Sequence, residues 1–179
     1  MSEATGARNR DFWRSYRRAW AEFAPDWWRA RHPRFHGADV SGDNNWCRVP
    51  LGRAPLRQAL VYLTVYRELD RLHSDGPGPG EMGVVLKATE HAHHTIEAYA
   101  TRHGGDLAAE VSNATQHRLR LHNAKPTGKN NPGVVCVTAR WDRDAASGCE
   151  WLVAATGAMV QVFGPKVDEM CAAASTLTR

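Results

Sequence analysis

Cysteine is sparse and scattered in this chain: Cys47, Cys136, Cys149 and Cys171 lie far apart in 179 residues, with no C-x-x-C pair among them. Such spacing argues against a disulfide frame or a zinc site and reads as reduced thiols, mostly buried. Long apolar runs are missing too. The most apolar stretches, Leu60–Val65 and Val153–Phe163, fall short of the about 20 residues that span a bilayer, so no transmembrane helix and no membrane partner are expected. Met1–Arg10 is polar and lacks the apolar run of a secretory signal, which makes the cytoplasm the expected location. No internal repeat or low-complexity tract is present. Ser74–Gly80, with its alternating proline and glycine, matches neither G-x-G-x-x-G nor the P-loop and reads as a connector, so no cofactor is expected.

What is present suits a folded domain. With 42% hydrophobic and 23% charged residues, the chain can bury a substantial core, which excludes disorder throughout and a collagen-like repeat. Residues 1–9 are expected to form a flexible tail and residues 10–179 a single domain. The net charge of +4 is unevenly placed. Residues 1–34 hold eight arginines against four acids, and the remainder balances at fifteen of each sign. An arginine-rich end on a neutral body is a footprint of contact with nucleic acid or an acidic partner, because guanidinium forks onto phosphate and carboxylate. It is also what the wet face of a soluble helix carries.

Asp11–Ala24 places Phe12, Trp13, Tyr16, Trp20 and Phe23 mostly three or four apart, which draws one apolar stripe along a helix and leaves Arg14, Arg17 and Arg18 mostly off it. Pro25 stops that helix, and Asp26 can cap a short second one carrying Trp27 and Trp28. His36–Asn45 reads as a loop. Gln58–Tyr66 is dense in β-branched and aromatic residues on both faces and suits a strand covered on both sides. Met82–Ala88 is the next strand, antiparallel to it. Thr89 is positioned to cap a helix over Glu90–His103, with Ala92, Ile96, Tyr99 and Ala100 facing the sheet and Gly104 and Gly105 ending it. Strands over Leu107–Ser112, His117–His122 and Val134–Trp141 follow, with a polar loop Asn123–Pro132 before the last. A helix over Glu150–Phe163, broken by Gly164 and Pro165, comes last among the long elements, with Trp151, Ala154, Ala155, Ala158 and Val162 inward. The expected fold is α+β: a mostly antiparallel sheet with helices packed on it, opened by an aromatic, arginine-rich helix.

This layout resembles the bacterial and archaeal family known as domain of unknown function 4268. The resemblance rests on Asp11-Phe12-Trp13 in the opening helix, on the basic-aliphatic strand His117-Arg118-Leu119-Arg120-Leu121, and on the closing words Trp151-Leu152-Val153 and Val162-Phe163-Gly164-Pro165. It covers residues 10–170 and implies no established reaction. Members of that family resemble domains found alone or joined to nuclease-like segments in genome-defence settings, which implies an association with nucleic acid.

The residues themselves offer several constellations. A restriction-like metal site needs an acid two positions before a strand lysine, and the residue two before Lys87 is Val85, so that chemistry lacks its carboxylate. Strand His117–His122 alternates His117, Leu119 and Leu121 with Arg118, Arg120 and His122. With Lys125 and Lys129 of the following loop, its basic side could track a phosphate backbone, or it could be an ordinary charged sheet face. His91, His93 and His94 with Glu90 and Glu97 make the densest cluster of metal-type ligands, with His93, His94 and Glu97 as its candidate metal set, but H-E-x-x-H is absent. The face shared by Glu90, His94 and Glu97 should lie in water, opposite Ile96 and Tyr99.

Three functions follow in order. The first is a non-catalytic domain that binds nucleic acid or a nucleic-acid-handling partner through Arg14, Arg17, Arg18, Arg118, Arg120, Lys125 and Lys129, marked by salt sensitivity. The second is a small-ligand binding or sequestering protein in which Trp20, Trp27, Trp28 and Trp46 line an aromatic pocket at a homodimer interface, marked by tryptophan quenching. The third is an enzyme using His93, His94 and Glu97 as metal or acid-base groups, marked by activity that chelation abolishes.

Overall fold

Pairing of two β-branched runs sets the centre of the sheet. In a computed structural model, which describes residues 3–33, 46–52, 61–67, 80–115, 120–122, 133–141 and 144–168, β1 (Trp46–Pro50), β2 (Val61–Tyr66) and β3 (Glu81–Ala88) form an antiparallel meander. Helix α3 (Glu90–Thr115) then leads to β4 (Arg120–His122) at the far edge, and β5 (Gly133–Arg140) returns between β3 and β4. The five strands lie in the order β1-β2-β3-β5-β4, and every pair is antiparallel. Helices α1 (Glu3–Phe23) and α2 (Asp26–Arg31) precede the sheet, and α4 (Ala145–Phe163) with a 3₁₀ turn at Gly164–Lys166 follows it. The protein is thus α+β, with an aromatic N-terminal helix. Among the described residues no helix is long and apolar enough to cross a membrane.

Strand periodicity divides the side chains between two environments. Val61, Leu63 and Val65 of β2 and Met82, Val84, Leu86 and Ala88 of β3 belong to the main core with the helices. Tyr66 and Val85, of the opposite parity, form a second small cluster with Trp46. Both sets are buried, so β2 is covered on both sides as its continuous apolar run demands.

Helix α4 is the hub of the helical layer. Asp144 caps it: one carboxylate oxygen accepts from the Ser147 amide at 3.0 Å and the other from the Ala146 amide at 3.4 Å. Those bonds satisfy amides that a helix start leaves open. Buried residues run round nearly the whole of α4, from Gly148 to Phe163, because it lies between the sheet on one side and α1 and α3 on others. Against it α1 lays Phe12, Trp13, Tyr16 and Trp20, all buried. Phe12–Trp13 and Trp13–Tyr16 meet edge to face at 5.1 and 5.6 Å, the arrangement aromatic quadrupoles favour. The Tyr16 hydroxyl reaches Thr156 Oγ1 at 2.8 Å, and Thr156 Oγ1 donates to the Leu152 carbonyl at 2.6 Å. A polar relay therefore fixes the register of α1 on α4 inside an otherwise apolar seam.

Four expectations are corrected. Helix α1 starts at Glu3, not Asp11, so helix runs through most of the segment assigned to a tail. Helix α3 does not stop at Gly104 and Gly105; it continues to Thr115, and Leu107–Ser112 is helix rather than strand. Glycine costs a helix about 1 kcal/mol relative to alanine, and here tertiary contact opposes that cost. Val111 is fully buried, and Glu110 pairs with Lys166 at 3.2 Å. Helix α4 begins at Ala145, ahead of Glu150, because the Asp144 cap starts it where apolar periodicity has not yet begun. Finally, Trp46–Pro50 is a strand directly after the segment read as a loop, paired residue by residue from Trp46↔Tyr66 to Pro50↔Tyr62. The expected loops His36–Asn45 and Asn123–Pro132, and residues 117–119 of the basic strand, lie outside the described residues.

Candidate nucleic-acid interface

Helical spacing separates the arginines of α1 into two kinds. Arg10, Arg14 and Arg18 recur every four residues and are exposed, which makes a ridge with a cation about every 6 Å along the axis. Arg17 lies nearer the core: it is partly buried, and its Nε donates to the Trp13 carbonyl at 3.1 Å. Acids flank the ridge. Arg14 pairs with Asp11 at 3.4 Å and Arg18 with Glu22 at 3.8 Å, in both cases with side chains about three-quarters exposed or more. Exposed pairs of this kind contribute about 0–1 kcal/mol, so a phosphate can replace the carboxylate at little cost. Arg10 joins the ridge although it falls outside the arginines expected from the sequence; its position one turn before Arg14 carries the signal.

The basic strand is only partly in view. In β4, Arg120 stands opposite Thr138 and His122 opposite Cys136 on β5, whereas Arg118, Lys125 and Lys129 lie outside the described residues. Helix α1 packs on α4, while β4 is the edge strand beyond β5.

A further cation–aromatic set emerges on the sheet. The exposed Arg48 holds its guanidinium 5.3 Å from the Trp46 ring and 5.0 Å from the Tyr62 ring. Lys87, buried, places Nζ 5.6 Å from the Tyr66 ring. Both arrangements fall within cation–π range. The sequence signal for Arg48 is the alternation of Trp46, Arg48 and Pro50 with Cys47 and Val49, hidden because the segment ends in a proline that an edge strand tolerates.

Of the four tryptophans expected to form a pocket, Trp20, Trp27 and Trp28 gather at the main core and Trp46 lies apart from them. Trp20 and Trp28 sit in the main core edge to face at 5.2 Å, and Trp28 Nε1 donates to the Pro50 carbonyl at 2.8 Å. Trp27 is partly buried with the Arg31 guanidinium 5.3 Å over it. Trp46 belongs to the second cluster on the opposite side of the sheet. Aromatic density on α1 and α2 therefore serves packing.

The histidine set splits. His94 is exposed, as its face should be, but His93 is buried beside Ala92 and Ile96. The Glu97 carboxylate lies 3.8 Å from His93 Nε2 and 3.9 Å from His94 Nδ1. Burial lowers the pKa of His93, opposed by Glu97 and reinforced by His94, and neither ring nitrogen has a hydrogen-bond partner among the described residues. Among those residues no group of three His, Cys, Asp or Glu side chains could hold a metal ion.

A depressed folded pKa means that the unfolded chain takes up the proton first, so stability falls as pH drops below the ordinary histidine value of about 6.5 and levels off below the folded value. His32 is depressed as well, by burial and then by Arg31, and adds to the same trend. Thermal unfolding between pH 7.5 and pH 5 is accordingly expected to show a smaller decrease of Tm in His93→Leu than in the native chain. Equal decreases in both would remove His93 from the explanation.

Cys47 and Cys149 are buried thiols outside any disulfide. Burial raises both pKa values, Cys47 far beyond the ordinary thiol range, against a smaller lowering from Arg17. Neither presents a thiolate at neutral pH. Comparison with family models, with curated proteins and with solved structures gave no match to this chain.

Proposed function

We propose that this chain is a non-catalytic accessory domain that binds nucleic acid, or docks on a nucleic-acid-handling protein, with the α1 ridge as its phosphate contact. The observation that carries the reading is the i, i+4, i+8 alignment of exposed Arg10, Arg14 and Arg18 on a helix whose other side is anchored by four buried aromatics. A rigid helix holds its cations in a fixed line, and arginine binds phosphate through two parallel hydrogen bonds. Phosphate contacts position a protein without reading sequence, so the binding is expected to be general rather than site-specific. Arg48, exposed beside Trp46 and Tyr62, and Arg120 on the edge strand are candidates for further contact.

The resemblance to domain of unknown function 4268 supports the same reading, and with it a bacterial, cytoplasmic, genome-defence setting. The test uses the balance of charge along the ridge. Labelled duplex DNA should bind more weakly to Arg14→Gln/Arg18→Gln and more tightly to Asp11→Asn/Glu22→Asn, because the second pair frees the arginines for phosphate. If both double variants bind as the native chain does, the ridge is solvated surface and nothing more.

A further inference from the structure

Helix α3 packs on α4, β3 and β5, and the described side chains that hold it there are few. Ahead of Gly104 and Gly105 it buries Ala92, His93 and Ile96, with Tyr99 packed partly against the core. Beyond the glycines the hold is Val111 and the Glu110–Lys166 pair. The first half of the helix therefore has an ionisable group among its anchors. His93 is only 5% exposed, and neither Nδ1 nor Nε2 has a hydrogen-bond partner among the described residues. Leaving a buried polar group unpaired costs more than a satisfied one contributes, so an imidazole in this seat needs a reason beyond packing.

The elements around the ring give an added proton little compensation. Into the core β3 sends Met82, Val84, Leu86 and Ala88, and β5 sends Val137 and Ala139, none of them ionisable. Lys87 lies on the other side of β3, over the Tyr66 ring. Helix α4 has two ionisable side chains, Cys149 and Glu150, and both lie toward α1; Lys166, just after it, is on Glu110. Among the described residues the charges that act on His93 are those of Glu97 and His94, on α3 itself. Glu97, at 3.8 Å from Nε2, is half exposed, and the exposed His94 adds a like charge when protonated.

We propose that His93 is a proton-operated latch: the neutral ring holds the first half of α3 on the sheet, and the protonated ring releases that half to water while α1 and α4 stay in place. An imidazolium has two N–H donors to satisfy, which opening exposes to water and the closed seat leaves unmet. The strands pair with one another, so the sheet does not depend on this half-helix. Gly104 and Gly105 supply the freest backbone of the helix, where the movement can end before Val111. Openings of this local kind are ordinary for weakly anchored elements. Burial opposes the charge in the closed form, so opening gains as pH falls below the ordinary histidine value of about 6.5, by at most about tenfold per pH unit. The inference does not depend on nucleic-acid binding.

Amide hydrogen exchange of the full chain, read by mass spectrometry at about pH 7.5 and 5.5, tests the latch, each rate being divided by the unfolded-chain rate at the same pH. Protection of α3 ahead of Gly104 should fall by about three- to tenfold at the lower pH, while protection of α1 and α4 changes by less than about twofold. His93→Leu should hold α3 protection constant between the two pH values. His93→Gln, neutral at every pH and close in size, serves the same test if the leucine variant does not fold. His94→Ala, at an exposed position on the same turn, should keep the response. Equal α3 protection at both pH values in the native chain would overturn the proposal. So would a loss that persists in the His93 variants, or one shared equally by α1, α3 and α4, because the protein would then be unfolding as a whole.

Discussion

Replacing Trp13 by alanine is expected to remove about 3–5 kcal/mol of stability, the range for truncating a buried large aromatic side chain. A domain of this size holds about 5–15 kcal/mol in all. Trp13 is fully buried and joins Phe12 and Tyr16 edge to face, so its removal opens the seam between α1 and α4 at its middle. Arg14→Ala, one residue on, removes an exposed ion pair and should change stability by no more than about 0.5 kcal/mol. Urea denaturation of the two variants measures the contrast. Similar midpoints would mean that α1 contributes little to the core.

The second large effect sits under Trp141. A Cβ on Gly148 would overlap Cζ3 of that ring and lie 2.6 and 2.8 Å from Cη2 and Cε3. The ring has no room to retreat: it is buried, stands edge-on to Phe12 at 5.9 Å, and carries the Arg67 guanidinium at 5.6 Å. Gly148→Ala should therefore destabilise by about 1–3 kcal/mol through overpacking, even though alanine is intrinsically the better helix former by about 1 kcal/mol. Gly157 provides the contrast within the same helix. A Cβ there meets Phe23, but that ring is half in solvent and can swing outward. Gly157→Ala should be close to neutral. Thermal melts that ranked the two variants in the opposite order would contradict this packing.

The contrast between those two glycines also shows what is legible in the sequence. Apolar periodicity places α1, β2, β3, β5 and most of α4, because each carries in its sequence a continuous apolar stripe or run whose period is local. The antiparallel pairing of β2 with β3 is legible for the same reason. Tertiary effects are not. Helix α3 passes through Gly104 and Gly105 because Val111 has a core to enter, and no local rule reports that core. The edge strand β1 is hidden by its short length and terminal proline.

The candidate sites follow the same division. The exposure of His94 and the flanking of the apolar stripe by arginine can be placed from helix angles. The burial of His93 and the separation of Trp46 from Trp20, Trp27 and Trp28 depend on which neighbour each helix and strand meets. The half-exposed seat of Phe23 over Gly157 likewise depends on two helices from opposite ends of the chain, a separation across which single-element periodicity carries no information.

The salt dependence of duplex DNA binding tests the central claim most directly. Anisotropy titrations of the native chain and of Arg14→Gln/Arg18→Gln, carried from about 50 to 200 mM salt, give two slopes of log K against log salt. If both arginines neutralise a phosphate, the native chain binds with a negative slope and the variant's slope is shallower by about 1.8, or about 0.9 for each phosphate no longer neutralised. Absence of binding by the native chain at about 50 mM salt, or identical slopes, would contradict the assignment of the α1 ridge as a nucleic-acid interface.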